Sequence, residues 1–391
     1  MTRIAHGVLA TLLAAALPIG AVTTTFAVPA AAERSASVAE TRLALPGPTG
    51  PNAVGRDTLH LVDKDRRDPW VPKAGARELM VSMFYPAHRG SGRAASYMST
   101  EEARLLLKFQ KLDRAIPAKQ VSATRTNART DARPAAGKYP MVVLSPGFTL
   151  PRATLTSVAE DLASRGYVVA AVDHAYESSG TAFPGGRMTT CVACERVEDD
   201  DPGIGAVAKG RAKDVSFVLD ELTGRHPAWK HAKMIDRNRI GMAGHSIGGN
   251  SAAQTMATDR RVRAGVNMDG TFFVPVPASG LNGRPFMMLG TDSLHRPGGE
   301  DKSWARDWAR LDGWKRWLTV ADSGHFTFVD LPVLGGQLGL STPEAPLSGK
   351  RSGEITRAYV GAFFDLHLRG VPQPLLDGPS TANPEVRFQN P

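Results

Sequence analysis

Only two cysteines occur in 391 residues, and that scarcity excludes two classes of small-domain architecture. A disulfide framework needs several cysteine pairs, and a structural zinc site needs four closely spaced thiolate or imidazole ligands. Aromatic residues make up just 7% of the chain. They form no aromatic strand of the RNP type and there is no zinc-finger spacing, so nothing resembles a nucleic-acid module. Neither an internal repeat nor a low-complexity tract is visible. No metal-ligand cluster is apparent, so neither a metal nor another cofactor is expected. Long apolar runs are also missing. The one near the N-terminus, Val8 to Ile19, is short and interrupted by Pro18, a poor membrane span. With Arg3 before it and Ala30-Ala31-Ala32 after it, it reads as a secretory signal peptide over residues 1–32. That reading implies export, with a flexible lead over 33–44 and one domain over 45–391.

The two cysteines, Cys191 and Cys194, form a C-x-x-C in a polar loop. In an exported chain without partner cysteines they read as a local disulfide that pins the loop. The formal net charge of +9 reads first as solubilising charge, with attraction to anionic surfaces as the alternative. Hydrophobic content of 42% and charged content of 22% are those of an ordinary globular enzyme. Composition leaves the oligomeric state open.

What the chain does have is an ordered series of short apolar segments. Asp57–Val62 and Glu78–Tyr85 read as strands, followed by a helix over Thr100–Leu112 that opens with Ser99 or Thr100 as N-cap and Glu101 and Glu102 in its first turn. From Met141–Leu144 onward, continuously apolar strands alternate with helices. Strands are expected at Tyr167–Val172, Arg239–Ala243, Val262–Met268, Pro285–Leu289 and Trp317–Ala321. Helices are expected at Thr154–Arg165, Lys209–Leu222, Gly249–Met256 and Glu354–Arg369, with a long loop over 174–206. Strands of this type, apolar on both faces, imply an α/β fold with a mostly parallel central sheet and helices on both faces. Functional groups in such folds gather at the carboxyl ends of the strands.

The densest signal is Gly244-His245-Ser246-Ile247-Gly248, a G-x-S-x-G between an apolar strand and a helix of small residues. A serine nucleophile must sit on a tight strand-to-helix turn to project its hydroxyl, and small residues two positions either side let that turn close. His245, inside the turn, is expected to pack beneath it rather than to react. A serine hydroxyl needs a base and a group to orient that base, and in α/β-hydrolases both follow the serine in chain order. His325 follows Trp317–Ala321 through the strand-end loop Asp322-Ser323-Gly324, the setting that a base requires. His367 lies within the last helix, and His295 in a loop with no strand immediately before it. Two aspartates end strands, Asp269 after Val262–Met268 and Asp292 after Pro285–Leu289, and position alone does not choose between them. An oxyanion hole needs two backbone N–H groups. The N–H of Ile247 follows the nucleophile directly. The N–H of Phe148 is the second, because Pro146 has none and Gly147 supplies the turn after the first strong strand. His174, Tyr176 and Glu177 follow a strand on the same side of the sheet and are expected to line the pocket. Trp304 and Trp308 lie four apart in a helix, with core packing and acyl-pocket lining as the two readings for Trp304.

Met141-Val-Val-Leu-Ser-Pro-Gly-Phe148, Asp161-Leu-Ala-Ser-Arg-Gly166, Tyr167-Val-Val-Ala-Ala-Val-Asp-His174, Gly-His-Ser246-Ile-Gly-Gly and Asn267-Met-Asp-Gly270 together resemble the platelet-activating-factor acetylhydrolase family (plasma type, lipoprotein-associated phospholipase A2) of the α/β-hydrolases. The resemblance runs in order from about Pro46 to Gly370. Bacterial secreted lipases and cutinase-like polyester hydrolases are similar at greater distance. The acetylhydrolase resemblance implies that Asp269 is the acid, the cutinase-like one that Asp292 is. Phe148 and Ile247 match the acetylhydrolase family's oxyanion donors. Pro146 departs from the Ser-His-Gly that the family often carries, which puts in doubt any role given to a histidine there. The family also has lipid-facing helices before the first core strand, here residues 99–138. In that segment Leu105, Leu106, Leu107, Phe109 and Leu112 form an apolar face flanked by Arg104, Lys108, Lys111 and Arg114. Such a face either meets a lipid interface or packs on the body of the enzyme.

The resulting expectation is a secreted serine ester hydrolase that acts on lipid-like or short-chain acyl esters through Ser246, His325 and Asp269. The alternatives are a cutinase- or lipase-like hydrolase of polyesters or triglycerides, and a hydrolase-like scaffold that only binds a partner.

Overall fold

A computed structural model describes residues 41–198, 203–341, 343 and 345–391. The expected signal peptide, and residues 33–40 of the expected flexible lead, lie outside the described residues. From Thr41 the lead is fixed rather than loose. Leu43 and Leu45 are buried, and the Arg125 N–H donates to the Leu43 carbonyl at 2.9 Å.

Eleven strands form the main sheet: β1 (Ala53–Arg67), β2 (Ala76–Ala87), β3 (Arg93–Ala94), β4 (Ala128–Thr130), β5 (Tyr139–Ser145), β6 (Val168–His174), β7 (Ile235–His245), β8 (Val262–Met268), β9 (Phe286–Thr291), β10 (Lys315–Val320) and β11 (Val386–Phe388). Their spatial order is β11-β10-β9-β8-β7-β5-β6-β2-β1-β4-β3. The run from β10 to β6 is parallel throughout. β2 pairs antiparallel with β6, and β11 antiparallel with β10. A mostly parallel sheet thus carries antiparallel edges, and the apolar type of the central strands follows from burial on both faces. β1, further out, alternates buried and exposed positions instead.

Period-two alternation divides each central strand between two cores. On β5, Val142 and Leu144 join one apolar cluster while Met141 and Val143 join the other. The first cluster takes in α1 (Thr100–Phe109), α2 (Thr156–Ser164) and α6 (Gly349–Arg369), through residues such as Leu106, Val158 and Phe363. The second takes in α3 (Gly203–Thr223), α4 (Ile247–Thr258) and α5 (Ser303–Arg310), through Val215, Met256 and Trp304. Among the described residues no helix is long and apolar enough to cross a membrane.

The helix expected over Thr100–Leu112 ends at Phe109, and its start is set by a reciprocal capping box. The Glu102 N–H donates to Ser99 Oγ at 3.1 Å, and the Ser99 N–H donates to Glu102 Oε2 at 2.8 Å. Its apolar face is directed at the protein: Leu106 and Leu107 are buried in the first core, and only Phe109 stands out, 41% exposed. The loop expected over 174–206 contains a small hairpin, Thr181–Ala182 with Met188–Thr189, and a helix over Val192–Glu198. Cys191 and Cys194 are joined there.

Leu106→Ala should lower unfolding free energy by about 2–5 kcal/mol, the cost of a large-to-small change in a packed core. Phe109→Ser should change it by less than about 0.5 kcal/mol. Denaturant midpoints check both, and equal, negligible effects would show that the helix is not part of the core.

Candidate active site

Ser246 lies between the last residue of β7 and the first of α4, with φ 56° and ψ −127°. This left-handed backbone holds the residue at the tip of the turn, where its N–H donates to the Met268 carbonyl at 2.8 Å. The flanking glycines are needed for space rather than for φ. A Cβ on Gly244 would stand 2.1 Å from the backbone of Gly248, and one on Gly248 would stand 2.2 Å from the Ser145 carbonyl oxygen.

Asp269 follows β8, also with positive φ (56°), and its carboxylate is buried. Its Oδ2 accepts a hydrogen bond from His325 Nδ1 at 2.7 Å. His325 opens a short 3-10 turn beyond β10, and its carbonyl accepts from His245 Nε2 at 2.7 Å. His245 is buried under the turn, as expected from sequence, and its ring lies 4.7 Å from that of His325. Burial, reinforced by His325, pulls the His245 imidazole down to about 3, so it is neutral. Burial opposes charge on Asp269, but His295 and His325 hold its carboxyl well below the usual range. Asp292 is engaged elsewhere. It accepts from Thr319 Oγ1 at 2.7 Å and pairs with Arg387, so the alternative acid serves the β9–β11 edge and has no hydrogen bond to His325.

Phe148, on the loop after β5, and Ile247, the first residue of α4, belong to one apolar cluster with the half-buried Tyr176, Ile204, Phe273 and Val274. An N–H in the first turn of a helix has no intrahelical carbonyl. The Ile247 amide is therefore free to point at a ligand, next to the loop that carries Phe148. That loop is held from behind. The Thr149 N–H donates to the Glu177 carbonyl at 2.9 Å, and Arg211 Nη1 donates to the Pro146 carbonyl.

Two of the expected pocket residues belong to this support and do not line a pocket. His174 and Glu177 are buried. His174 bonds Asp214 through Nδ1 at 2.8 Å and Ser145 through Nε2 at 3.1 Å. Glu177 pairs with Arg77 at 2.9 Å and Arg211 at 2.7 Å, and accepts from the Trp70 indole at 2.7 Å. A buried carboxylate is sustainable only with such partners, and the guanidiniums come from β2 and α3, far away in sequence. Trp304 is also fully buried, donating to the Gly270 carbonyl at 2.8 Å. It packs the core rather than the acyl site. Tyr176 alone of the four is only half-buried, in the apolar cluster that holds Phe148 and Ile247.

The residue missed in the sequence is His295, set aside for want of a preceding strand. Its Nδ1 bonds Asp269 Oδ1 at 2.7 Å, and the only signal for it was its place just beyond the carboxyl end of β9. Among the described residues no group of three or more His, Cys, Asp or Glu could hold a metal ion.

The model of the family described as platelet-activating factor acetylhydrolase, isoform II, matches residues 38–186 and 213–342. A probable 1-alkyl-2-acetylglycerophosphocholine esterase of Arthroderma benhamiae is 29% identical over 88% of this chain and 93% of its own length. The platelet-activating factor acetylhydrolase of Bos taurus is 26% identical, over 59% of this chain and 57% of its own. Among solved structures, a ferulic acid esterase from Streptomyces cinnamoneus superposes with a TM-score of 0.80 and 46% identity, covering 89% of this chain and 99% of that one. The large, mostly parallel sheet is that of an α/β-hydrolase, and every relative named is an esterase or acetylhydrolase. This chain is a carboxylic ester hydrolase and belongs to the platelet-activating factor acetylhydrolase, isoform II, family.

Proposed function

We propose that the chain is an exported serine esterase whose Ser246, His325 and Asp269 act as nucleophile, base and orienting acid. The observation that carries the reading is the 2.7 Å bond between Asp269 Oδ2 and His325 Nδ1, beside a serine held at positive φ on a strand-to-helix turn. With Nδ1 engaged, His325 keeps Nε2 to take the Ser246 proton as Oγ attacks the ester carbonyl. The Phe148 and Ile247 amides bind the oxyanion, and the imidazolium returns the proton to the departing alcohol. In the second half, His325 deprotonates water, which attacks the acyl-enzyme, and Ser246 regains its proton on release of the acid. No cofactor takes part in these steps.

Lipid-like or short-chain acyl esters are the first substrate class, in keeping with the acetyl-ester names of the family and its fungal member. A second class has a specific observation in its favour. The ferulic acid esterase is far more similar in sequence, and the apolar cluster around Ile247 presents three half-buried aromatic rings, Phe148, Tyr176 and Phe273. Those rings suit a flat aromatic acyl group. For a lipid interface, the support on α1 is restricted to Phe109, since Leu106 and Leu107 are buried. Export rests on the leader-like sequence of residues 1–32, and N-terminal sequencing of the protein from culture medium should find a start near Glu33.

Ser246→Ala should lower turnover by several orders of magnitude in a folded protein, and a fluorophosphonate should label the native enzyme at Ser246 but not the variant. Activity within tenfold of wild type, or no labelling of the native enzyme, would remove Ser246 as the nucleophile. Asp269→Asn should cost about 10⁴-fold in kcat, as loss of the correct imidazole tautomer does, while Asp292→Asn should cost little. The opposite ranking would restore Asp292 as the acid. Profiling kcat/KM on a short-chain aryl ester, an acetylated glycerophosphocholine, a polyester film and ethyl ferulate separates the substrate classes. Ethyl ferulate is expected to lead if the aromatic rings set specificity, and a preference for the acetyl lipid would overturn that second reading.

A further inference from the structure

We propose that His295 is a positioning residue for the acid. Bonded through both ring nitrogens, it locks the rotation of the Asp269 carboxylate and compensates its charge, extending the site into a chain Ser246–His325–Asp269–His295–Asp301. The inference rests on the triad proposed above.

The geometry is that of a closed clamp. Asp269 Oδ1 accepts from His295 Nδ1 at 2.7 Å and from the Thr291 N–H at 2.6 Å, which leaves Oδ2 for His325. The far nitrogen of His295, Nε2, bonds Asp301 Oδ2 at 3.0 Å, and Asp301 Oδ1 is held by the Ser303 N–H at 2.7 Å. The ring of His295 is stacked on Trp304, 4.2 Å between centroids and 20° between planes. Its carbonyl accepts from the Trp317 indole at 2.7 Å. A neutral imidazole carries one N–H. Facing a carboxylate at each nitrogen, the ring can satisfy both only as the imidazolium. Burial works against that charge, but Asp269, followed by Asp301, raises the group to about 9.

The charged groups facing His295 are these two carboxylates, one from the end of β8 and one from the loop before α5. β10 and α5 present the uncharged Trp317 indole and Trp304 ring to it, and the Thr291 N–H of β9 is directed at Asp269. On the other side of Asp269, His325 faces that carboxylate and the neutral His245.

The sign of the effect on the base follows. A bare carboxylate at Asp269 would favour the protonated form of His325, so the enzyme would need a higher pH to free its base. A fixed cation on the opposite oxygen offsets this attraction and keeps the base available at lower pH. It also prevents the carboxylate from turning away from His325, which would release the imidazole tautomer.

His295→Gln retains a donor for Asp269 without the charge, and His295→Phe retains a ring over Trp304 with neither. In both, the acid limb of the kcat/KM profile should move up by about one pH unit. kcat should fall roughly 10- to 100-fold, less for Gln, with KM within about threefold. Asp301→Asn should move the acid limb in the same direction, because it weakens the cation. An unmoved acid limb in both His295 variants, while Asp269→Asn is inactive, would overturn the clamp and leave the triad standing. A fully active Asp269→Asn would overturn the triad and the clamp with it. Should the His295 variants fail to fold, nitrogen-15 imidazole spectra of the folded Ser246→Ala protein decide the matter. One histidine other than His325 should keep both ring N–H protons up to about pH 8. A neutral His295 at pH 7 would overturn the proposal.

Discussion

The backbone at Ser246 is the constraint around which the central sheet is arranged. A non-glycine residue at φ 56° and ψ −127° costs on the order of 1–3 kcal/mol and persists only where its surroundings over-determine it. Here they do so from three directions. β8 supplies the carbonyl that receives the Ser246 N–H, α4 receives the chain, and the β5 loop comes so close to α4 that position 248 has no room for a Cβ. The same backbone choice recurs at the carboxyl ends of neighbouring strands. Thr149 after β5, Tyr176 after β6, Asp269 after β8 and Asp322 after β10 all have positive φ. These five, of the nine non-glycine residues with positive φ among the described residues, stand at the carboxyl ends of the strands, where side chains must converge.

Beneath those strand ends lies a largely buried set of charges whose mutual pairing explains why it can exist. Arg66, Arg77 and Arg211 face Asp63, Asp68, Glu177 and Asp214, three cations against four anions. His174 is kept neutral by burial and by Arg211, so it adds no further charge. Such a set is weak evidence for stability, because desolvation consumes most of the Coulomb gain, yet removing one member would leave a buried charge unpaired at about 3–5 kcal/mol. Its consequence is positional. Through the Pro146 carbonyl and the Glu177 backbone it fixes the loop that carries Phe148, so the direction of that amide does not depend on loop packing alone.

Which parts of this were legible follows from the range of the interactions involved. The strands and the turn at Ser246 are local statements, a short apolar run or a glycine spacing, and Val262–Met268 has the same ends in sequence and structure. The proposed base, His325, was legible because a base must follow a strand, and the proposed acid, Asp269, only through family resemblance, since two aspartates end strands. His295 was not, because what recruits it is a carboxylate 26 positions away and no local pattern reports that. His174 and Glu177 were placed on the correct side of the sheet but at the wrong depth. Their burial depends on Arg77, 100 positions from Glu177 in the chain, and an acidic residue after a strand looks the same whether a guanidinium waits beneath it or water does. The apolar face of α1 was ambiguous for a different reason. A protein core and a lipid interface select the same side chains, and only the placement of Leu106 against the sheet separates them. The last strand, Val386–Phe388, was missed because three residues carry no period.

These features meet in how the site handles charge. In the proposed mechanism a neutral serine and imidazole become an oxyanion and an imidazolium, and a site that had to reorganise to receive those charges would lose much of its advantage. The acid side has little left to reorganise. Both oxygens of Asp269 are already engaged, by His325 on one and by Thr291 and His295 on the other. The oxyanion side is anchored by the buried ion set through Pro146. Between them lies the apolar cluster in which Phe148, Tyr176 and Phe273 are only half-buried. In the proposed mechanism those rings, rather than the hydrogen-bonded groups, are left to distinguish one acyl group from another.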